Sequence, residues 1–284
     1  VPALPVAASE TITTLQAIIL GIVQGLTEFL PVSSTGHLRI VPAVAGWEDP
    51  GSAFTAVTQL GTMAAVLVYF RTDLWNMVRA FGGTVSGERP LWRTDDVSGR
   101  LGWYLILGTI PIVIVGFALQ NVIEDQFRTL ELVAAVLILF SLVLHTADTR
   151  ATQTREVADL RLKDGLILGC WQALALIPGV SRSGSTISGG LFLGLTREAA
   201  TRFSFLLSVP AVVLSALFEL RKAFDGDLQI GPTVIATIFA FISGYLIIAW
   251  LLRYVRTHTF TIFVVYRVVV GVIILGLALG GVIS

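Results

Sequence analysis

Charge is scarce in this chain. Only 13% of its 284 residues are Asp, Glu, Lys or Arg, about half of the roughly 25% usual in a soluble domain. So few charges cannot dress a water-facing surface, which excludes an ordinary soluble protein. Neither sign is in excess either: 19 basic and 19 acidic residues cancel to a formal net charge of zero. No basic tail or stripe is left for nucleic acid, and none is expected as a partner. Cysteine occurs once, at Cys170 in an apolar run, which rules out an intramolecular disulfide and informs neither redox compartment nor metal binding. The stretch Val1 to Ser9 has no positive n-region and is not expected to be a cleaved signal peptide. Low-complexity tracts are missing, and the one long polar connection runs from Gly82 to Arg100.

What fills the chain is apolar. Hydrophobic residues make up 55%, and the mean hydropathy is +0.83. Such a composition predicts an all-α polytopic membrane protein, a single membrane domain over 1–284. A spanning helix needs about 20 mostly apolar residues. Six segments qualify: 52–71, 101–120, 130–147, 199–220, 232–252 and 260–282. Two more apolar stretches are interrupted: 13–46 by PVSSTGH (Pro31 to His37), and 162–195 by PGVSRSGST (Pro178 to Thr186). Their arms are too short to cross a core about 30 Å thick. Each is read as a re-entrant helix hairpin, although two kinked helices would give the same pattern. Irregular backbone survives at membrane depth only where protein buries it or it lines a wet cavity, so both breaks are site candidates.

Basic residues set the expected topology. Arg71, Arg79, Arg89, Arg93, Arg100, Arg150, Arg155, Arg161, Lys163, Arg197, Arg202, Arg253 and Arg256 fall on one side. The other side receives Arg39, Arg128, Arg221 and Lys222. The excess of positive charge belongs in the cytoplasm, which places loop 72–100 there and both termini outside.

The two hairpins are related. Gly21, Gln24, Leu26, Val32, Ser33 and Gly36 match Gly169, Gln172, Leu174, Val180, Ser181 and Gly184, every pair 148 residues apart. Three spans separate the copies, so they are expected to enter from opposite faces. That is an inverted-topology repeat, 13–130 against 131–284 with additional spans, whose breaks meet near the midplane.

The breaks carry the unusual side chains. Ser181, Arg182, Ser183, Ser185 and Thr186 sit at a helix start, where free N–H groups and the dipole favour an anion. Arg182 adds a planar donor fork suited to phosphate, and an Arg at mid-bilayer costs roughly 2.5–3.5 kcal/mol on insertion scales. Plain helix capping by the serines and snorkelling of Arg182 would be the structural alternative. The first break offers Glu28, Ser33, Ser34, Thr35 and His37. Gln24 and Glu28 share a helix face one turn apart, and their oxygens suit a hard divalent cation. His37 titrates near neutral pH, and a serine within its reach is a candidate nucleophile. Either residue alone is more often structural, and it is their combination with a carboxylate that points to chemistry. Arg267, deep in the last span, is expected to neutralise an anionic substrate or pair with Glu28 or Glu219.

QGLTEFLPVSSTGH (Gln24 to His37) and PGVSRSGST (Pro178 to Thr186) resemble the motifs of the undecaprenyl pyrophosphate phosphatase, or bacitracin-resistance, family. QLGTMAAVLVYF (Gln59 to Phe70) and RFSFLLSVPA (Arg202 to Ala211) extend the similarity through most of the chain. The resemblance implies a bacterial plasma-membrane enzyme that removes the terminal phosphate of undecaprenyl pyrophosphate and recycles the lipid carrier for peptidoglycan synthesis. It implies a divalent cation, Mg2+ or Ca2+, at Glu28 and Gln24. Position 24 is Gln where many members carry Glu, so Glu28 is expected to bear most of the metal or acid–base role. Ser34 would attack while His37 shuttles its proton. Ser33, Ser181, Arg182, Ser183, Ser185, Thr186 and Arg267 would bind phosphate. Direct attack by water is the competing route. A secondary transporter or flippase of an anionic lipid or solute is the competing function, because broken helices in inverted repeats serve transport too. A homodimer is compatible with all of this.

Overall fold

The computed structural model describes residues 12–85, 96–126, 129–223 and 229–283, with side chains omitted at 52, 84–85, 120–126 and 216–223. Arg89, Arg93 and Arg128, and the side chains of Arg221, Lys222 and Glu219, therefore lie outside the described residues. Among those described there is no strand, only one isolated bridge between Arg155 and Leu195. The helices are α1 (Thr14–Phe29), α2 (Ser34–Ala45), α3 (Gly51–Tyr69), α4 (Arg71–Val85), α5 (Val97–Gln126) and α6 (Leu130–Arg150). They continue as α7 (Leu162–Ala173), α8 (Arg182–Phe192), α9 (Arg197–Ala223), α10 (Ile230–Tyr254) and α11 (Thr261–Leu279).

Five of these are long and apolar enough to cross a bilayer: α5, α6, α9, α10 and α11. The expected span 52–71 is α3, which ends at a bend of 77° into α4. Residues 72–85, expected to begin the loop 72–100, are helical instead. The physical reason is amphipathicity at an interface. Arg71, Asp73, Asn76 and Arg79 keep α4 out of hydrocarbon, while Met77 and Ala80 are buried and Arg79 stacks over exposed Trp75. Such an amphipathic helix suits a place along the membrane surface better than one through it.

The hairpins appear as two short helix pairs, α1–α2 and α7–α8, each packed on itself. With 16, 12, 12 and 11 residues, the arms reach about 24, 18, 18 and 17 Å. None reaches the roughly 30 Å of the hydrocarbon core. Their partners recur in pairs: α1 packs on α10 as α7 packs on α5, and α3 meets α10 as α9 meets α5. Further contacts join α3 to α9 and α6 to α11.

Small residues let these pairs approach. Gly21 and Gly25 of α1 lie against the Ala236 and Ala240 backbone of α10, where a Cβ on Gly25 would come within 2.6 Å of the Ala240 carbonyl oxygen. In the second pair Gly108 of α5 faces Gly165 and Gly169 of α7. Lipid supplies no hydrophobic drive between helices, so this close backbone packing is the main attraction. Phe29, Phe70, Phe203 and Phe205 fill the shared core. Val265, Val269 and Ile273 leave the outer face of α11 exposed and apolar.

At one end of the bundle, ion pairs tie the elements together. Arg202 reaches Asp73 at 2.6 Å and Arg197 reaches Asp148 at 2.5 Å. Arg155 reaches the buried Asp164 at 2.5 Å, while its backbone pairs with the α8–α9 turn at Gly194.

Candidate active site

Both breaks end on a serine with left-handed backbone. Ser33 has φ 76° and caps α2 by accepting from the Gly36 N–H, and Ser181 has φ 72° and caps α8 by accepting from the Gly184 N–H. A non-glycine residue at such φ is uncommon and costs of order 1–3 kcal/mol unless its surroundings enforce it. The same strained cap therefore occurs at equivalent positions of the repeat. Each makes the following residue the first of a helix: Ser34 for α2 and Arg182 for α8. Those two side chains converge on Glu28.

Glu28 is 7% exposed, and a buried carboxylate must be compensated. Ser34 Oγ donates to its Oε2 at 2.6 Å, and Gln24 Nε2 donates to the same oxygen at 3.0 Å. Its Oε1 accepts from Gln59 Nε2 at 3.3 Å and forms an ion pair with the Arg182 guanidinium. Gln59, one turn before Thr62 on α3, was not singled out from the sequence. The quoted stretch beginning at Gln59 held the signal, a polar side chain inside an apolar span.

The donor set admits a cation only in company. Gln24 Oε1 is buried and has no hydrogen-bond partner, so it points an unused hard oxygen beside a carboxylate. Among the described residues no cluster of three His, Cys, Asp or Glu is present. Magnesium is commonly held by one or two carboxylates together with substrate phosphates, and Glu28 with Gln24 fits that incomplete pattern.

His37 is placed differently from the expectation. Its Nδ1 lies 2.7 Å from the Ser33 carbonyl and its Nε2 lies 2.7 Å from the Tyr266 hydroxyl. A carbonyl can only accept, so Nδ1 carries the proton and Nε2 accepts from Tyr266. Both ring nitrogens are committed, and the structure brings Glu28 rather than His37 to Ser34. Tyr266 was also missed from the sequence, since a tyrosine next to an intramembrane arginine has no period or motif to mark it.

The hydroxyls expected to form a cradle bond protein atoms in this structure. Ser183 Oγ donates to the Leu30 carbonyl at 2.9 Å, and Ser185 Oγ donates to the Trp171 carbonyl. Thr186 Oγ1 bonds the Arg182 carbonyl at 2.8 Å and Ser204 Oγ at 2.5 Å. Ser181 Oγ and Ser33 Oγ serve their caps and touch Ser183 and Thr35. Hydroxyls this deeply buried satisfy themselves on protein, because an unmade hydrogen bond in hydrocarbon is costly. Arg267, expected to bind phosphate or pair with a carboxylate, is fully buried, and its donors go to backbone carbonyls.

Arg182 also lines a narrow crevice between α3 and α9. Phe29, Met63, Val66, Val209 and Val212 form its apolar walls, with Thr62 and Ser208. Cation and apolar wall are thus adjacent, which suits an amphiphile with an anionic head.

The chain is similar to known proteins over most of its length. A family model described as bacitracin resistance protein BacA matches residues 17–273. The chain is 52% identical over 285 residues to undecaprenyl-diphosphatase 3 of Frankia alni, covering 94% of this chain and 95% of that one. It is 50% identical over 274 residues to the undecaprenyl-diphosphatase of Myxococcus xanthus, covering 95% and 91%. A similar relation, 50% over 272 residues with 95% and 98% covered, holds for the undecaprenyl-diphosphatase of a Nocardioides species.

Proposed function

The chain belongs to the bacitracin resistance protein BacA family, and on that premise we propose that it is a multi-pass membrane phosphatase that converts undecaprenyl pyrophosphate to undecaprenyl phosphate and phosphate. Recycling this lipid carrier supplies cell-wall synthesis and underlies bacitracin resistance. The observation that carries the mechanism is the 2.6 Å hydrogen bond from Ser34 Oγ to Glu28 Oε2. A nucleophile already donating to a carboxylate needs no further rearrangement to lose its proton.

In this reading the terminal phosphate displaces Glu28 from part of the Arg182 guanidinium, whose planar fork matches phosphate oxygens. Ser34 Oγ bonds to the terminal phosphorus as its proton passes to Glu28. The bridging P–O bond breaks, and undecaprenyl phosphate leaves with that electron pair. Water then attacks the phosphoserine phosphorus, the P–Oγ bond breaks as Glu28 returns its proton to Ser34 Oγ, and inorganic phosphate leaves carrying the water's protons. Arg182 and the free N–H groups at the start of α8 offset charge on the equatorial oxygens, where phosphoryl transfer needs it. A divalent cation, Mg2+ or Ca2+, held by Glu28 and Gln24 would neutralise further phosphate charge. The crevice beside Arg182 supports a lipid tail leaving between α3 and α9.

The test is phosphate release from undecaprenyl pyrophosphate by the purified protein across a cation series with chelator. Release that depends on cation, and collapses in Ser34→Ala, supports this function and the serine route. Release that persists near normal in Ser34→Ala moves the attack to water. No release with any cation removes the enzyme reading and leaves transport of the same anionic lipid.

A further inference from the structure

We propose that Arg267 is a positioning residue: it clamps equivalent carbonyls of the two helix breaks and so holds Ser34 and Arg182 against Glu28. The proposal rests on the reading that these three side chains form the phosphatase site.

The guanidinium is fully buried, and its charge is received by carbonyl oxygens rather than by a carboxylate. Nη1 donates to the Pro31 carbonyl at 2.9 Å, and Nη2 donates to the Gly179 carbonyl at 3.0 Å and the Val180 carbonyl at 3.2 Å. Nε donates to the Leu137 carbonyl of α6 at 3.3 Å. Pro31 and Gly179 are 148 residues apart, the same offset that relates the two hairpins. One side chain from α11 thus bonds the same carbonyl in both copies of the repeat. It lies where a local two-fold relation between the breaks would put a shared group, and guanidinium is the one side chain with a fork wide enough to serve both sides.

The consequence for the site follows the chain. Pro31 stands two residues before Ser33, and Gly179 two before Ser181. Both serines hold positive φ, a conformation kept only where neighbours over-determine it. Fixing the preceding carbonyl is one such restraint, and the cap bond to Gly36 or Gly184 is another. Gly184 is also needed to make room, since a Cβ there would lie 3.0 Å from Arg267 Nη1. The residue after each strained serine is a reacting or phosphate-facing one. Holding both serines in place therefore sets the separation between Ser34 and Arg182. Break carbonyls without a partner would be costly in a membrane interior, so the clamp removes that cost as well.

The experiment compares wild type, Arg267→Met and Arg267→Lys as purified full-length proteins in detergent. Steady-state phosphate release gives kcat and KM, inorganic phosphate inhibition reports the phosphate site, and hydrogen exchange follows the amides of 32–37 and 179–184. In Arg267→Met, kcat should fall about 100-fold, the scale of a misplaced reacting group, with KM and phosphate inhibition within about threefold. Exchange should accelerate at both breaks together. Arg267→Lys, with charge and three donors but no fork, should lie between the two. If Arg267→Met does not survive purification, Arg267→Lys carries the same readouts alone. Unchanged kcat, weakened phosphate inhibition with raised KM, or acceleration at one break alone overturns the clamp. A wild type without phosphatase activity defeats the functional reading instead, and the exchange result still judges the clamp.

Discussion

At Glu28 four donors meet one carboxylate, and each is worth something different. Arg182 compensates the charge, whereas the two glutamines hold the carboxylate in place. Ser34 alone brings a proton that chemistry can use. Glu28→Gln keeps the shape but removes the base and the anionic cation ligand, so kcat should drop by about 10²–10⁴, the range for a lost general base, as measured by phosphate release. Tyr266→Phe is a gentler probe. It removes the hydroxyl that donates to His37 Nε2, a net loss of about 1 kcal/mol. If His37 is held for structure rather than proton transfer, the variant should lose less than about tenfold in kcat, and a larger loss would return His37 to the chemistry. Of the side chains that meet at Glu28, Gln24, Ser34 and Arg182 were legible in the sequence along with Glu28 itself, because charge and hydroxyls inside apolar runs announce themselves. Who touches whom was not. The partners of His37 and Arg267 lie 229 and up to 236 residues away in the chain, and no local pattern encodes such distances.

Helix by helix, the same close packing that builds the hairpins limits what they tolerate. Gly21→Leu would drive a branched side chain into the Ala236 backbone and should lower the thermal midpoint in detergent markedly, since α1 carries Glu28 and seats it through α10. Gly82→Ala is the matched control. Nothing lies within 4 Å of a Cβ there, and replacing a helical glycine should be neutral or stabilise by about 0.5–1 kcal/mol. A Gly21→Leu protein as stable as wild type would mean that α1 and α10 do not meet as described. The spans and the two interruptions could be read from run lengths, because hydrocarbon thickness fixes them. Helix α4 could not, since its residues are polar enough to pass for a loop and only the burial of Met77 and Ala80 against neighbours makes the helix worthwhile. The left-handed serines were equally hidden: serine is a common cap, and nothing in its identity signals a positive φ.

Over the whole molecule, orientation follows from where the arginines lie. Those assigned to one side include Arg155, Arg197, Arg202 and Arg256, and each is ion-paired at the same end of the bundle with Asp164, Asp148, Asp73 and Glu198. Positive residues in short loops remain in the cytoplasm, so this end should face inward and the α2–α3 connection outward. Two positions separate the alternatives. Glu48 lies in that connection and His258 between α10 and α11, and both are exposed. In a Cys170→Ser background, needed because Cys170 is itself exposed, Glu48→Cys should react with a membrane-impermeant maleimide on intact spheroplasts. His258→Cys should react only after permeabilisation. The reverse pattern would invert the protein and put the basic end outside. Equal labelling of both sites in intact spheroplasts would contradict the span count, because an odd number of crossings must separate them.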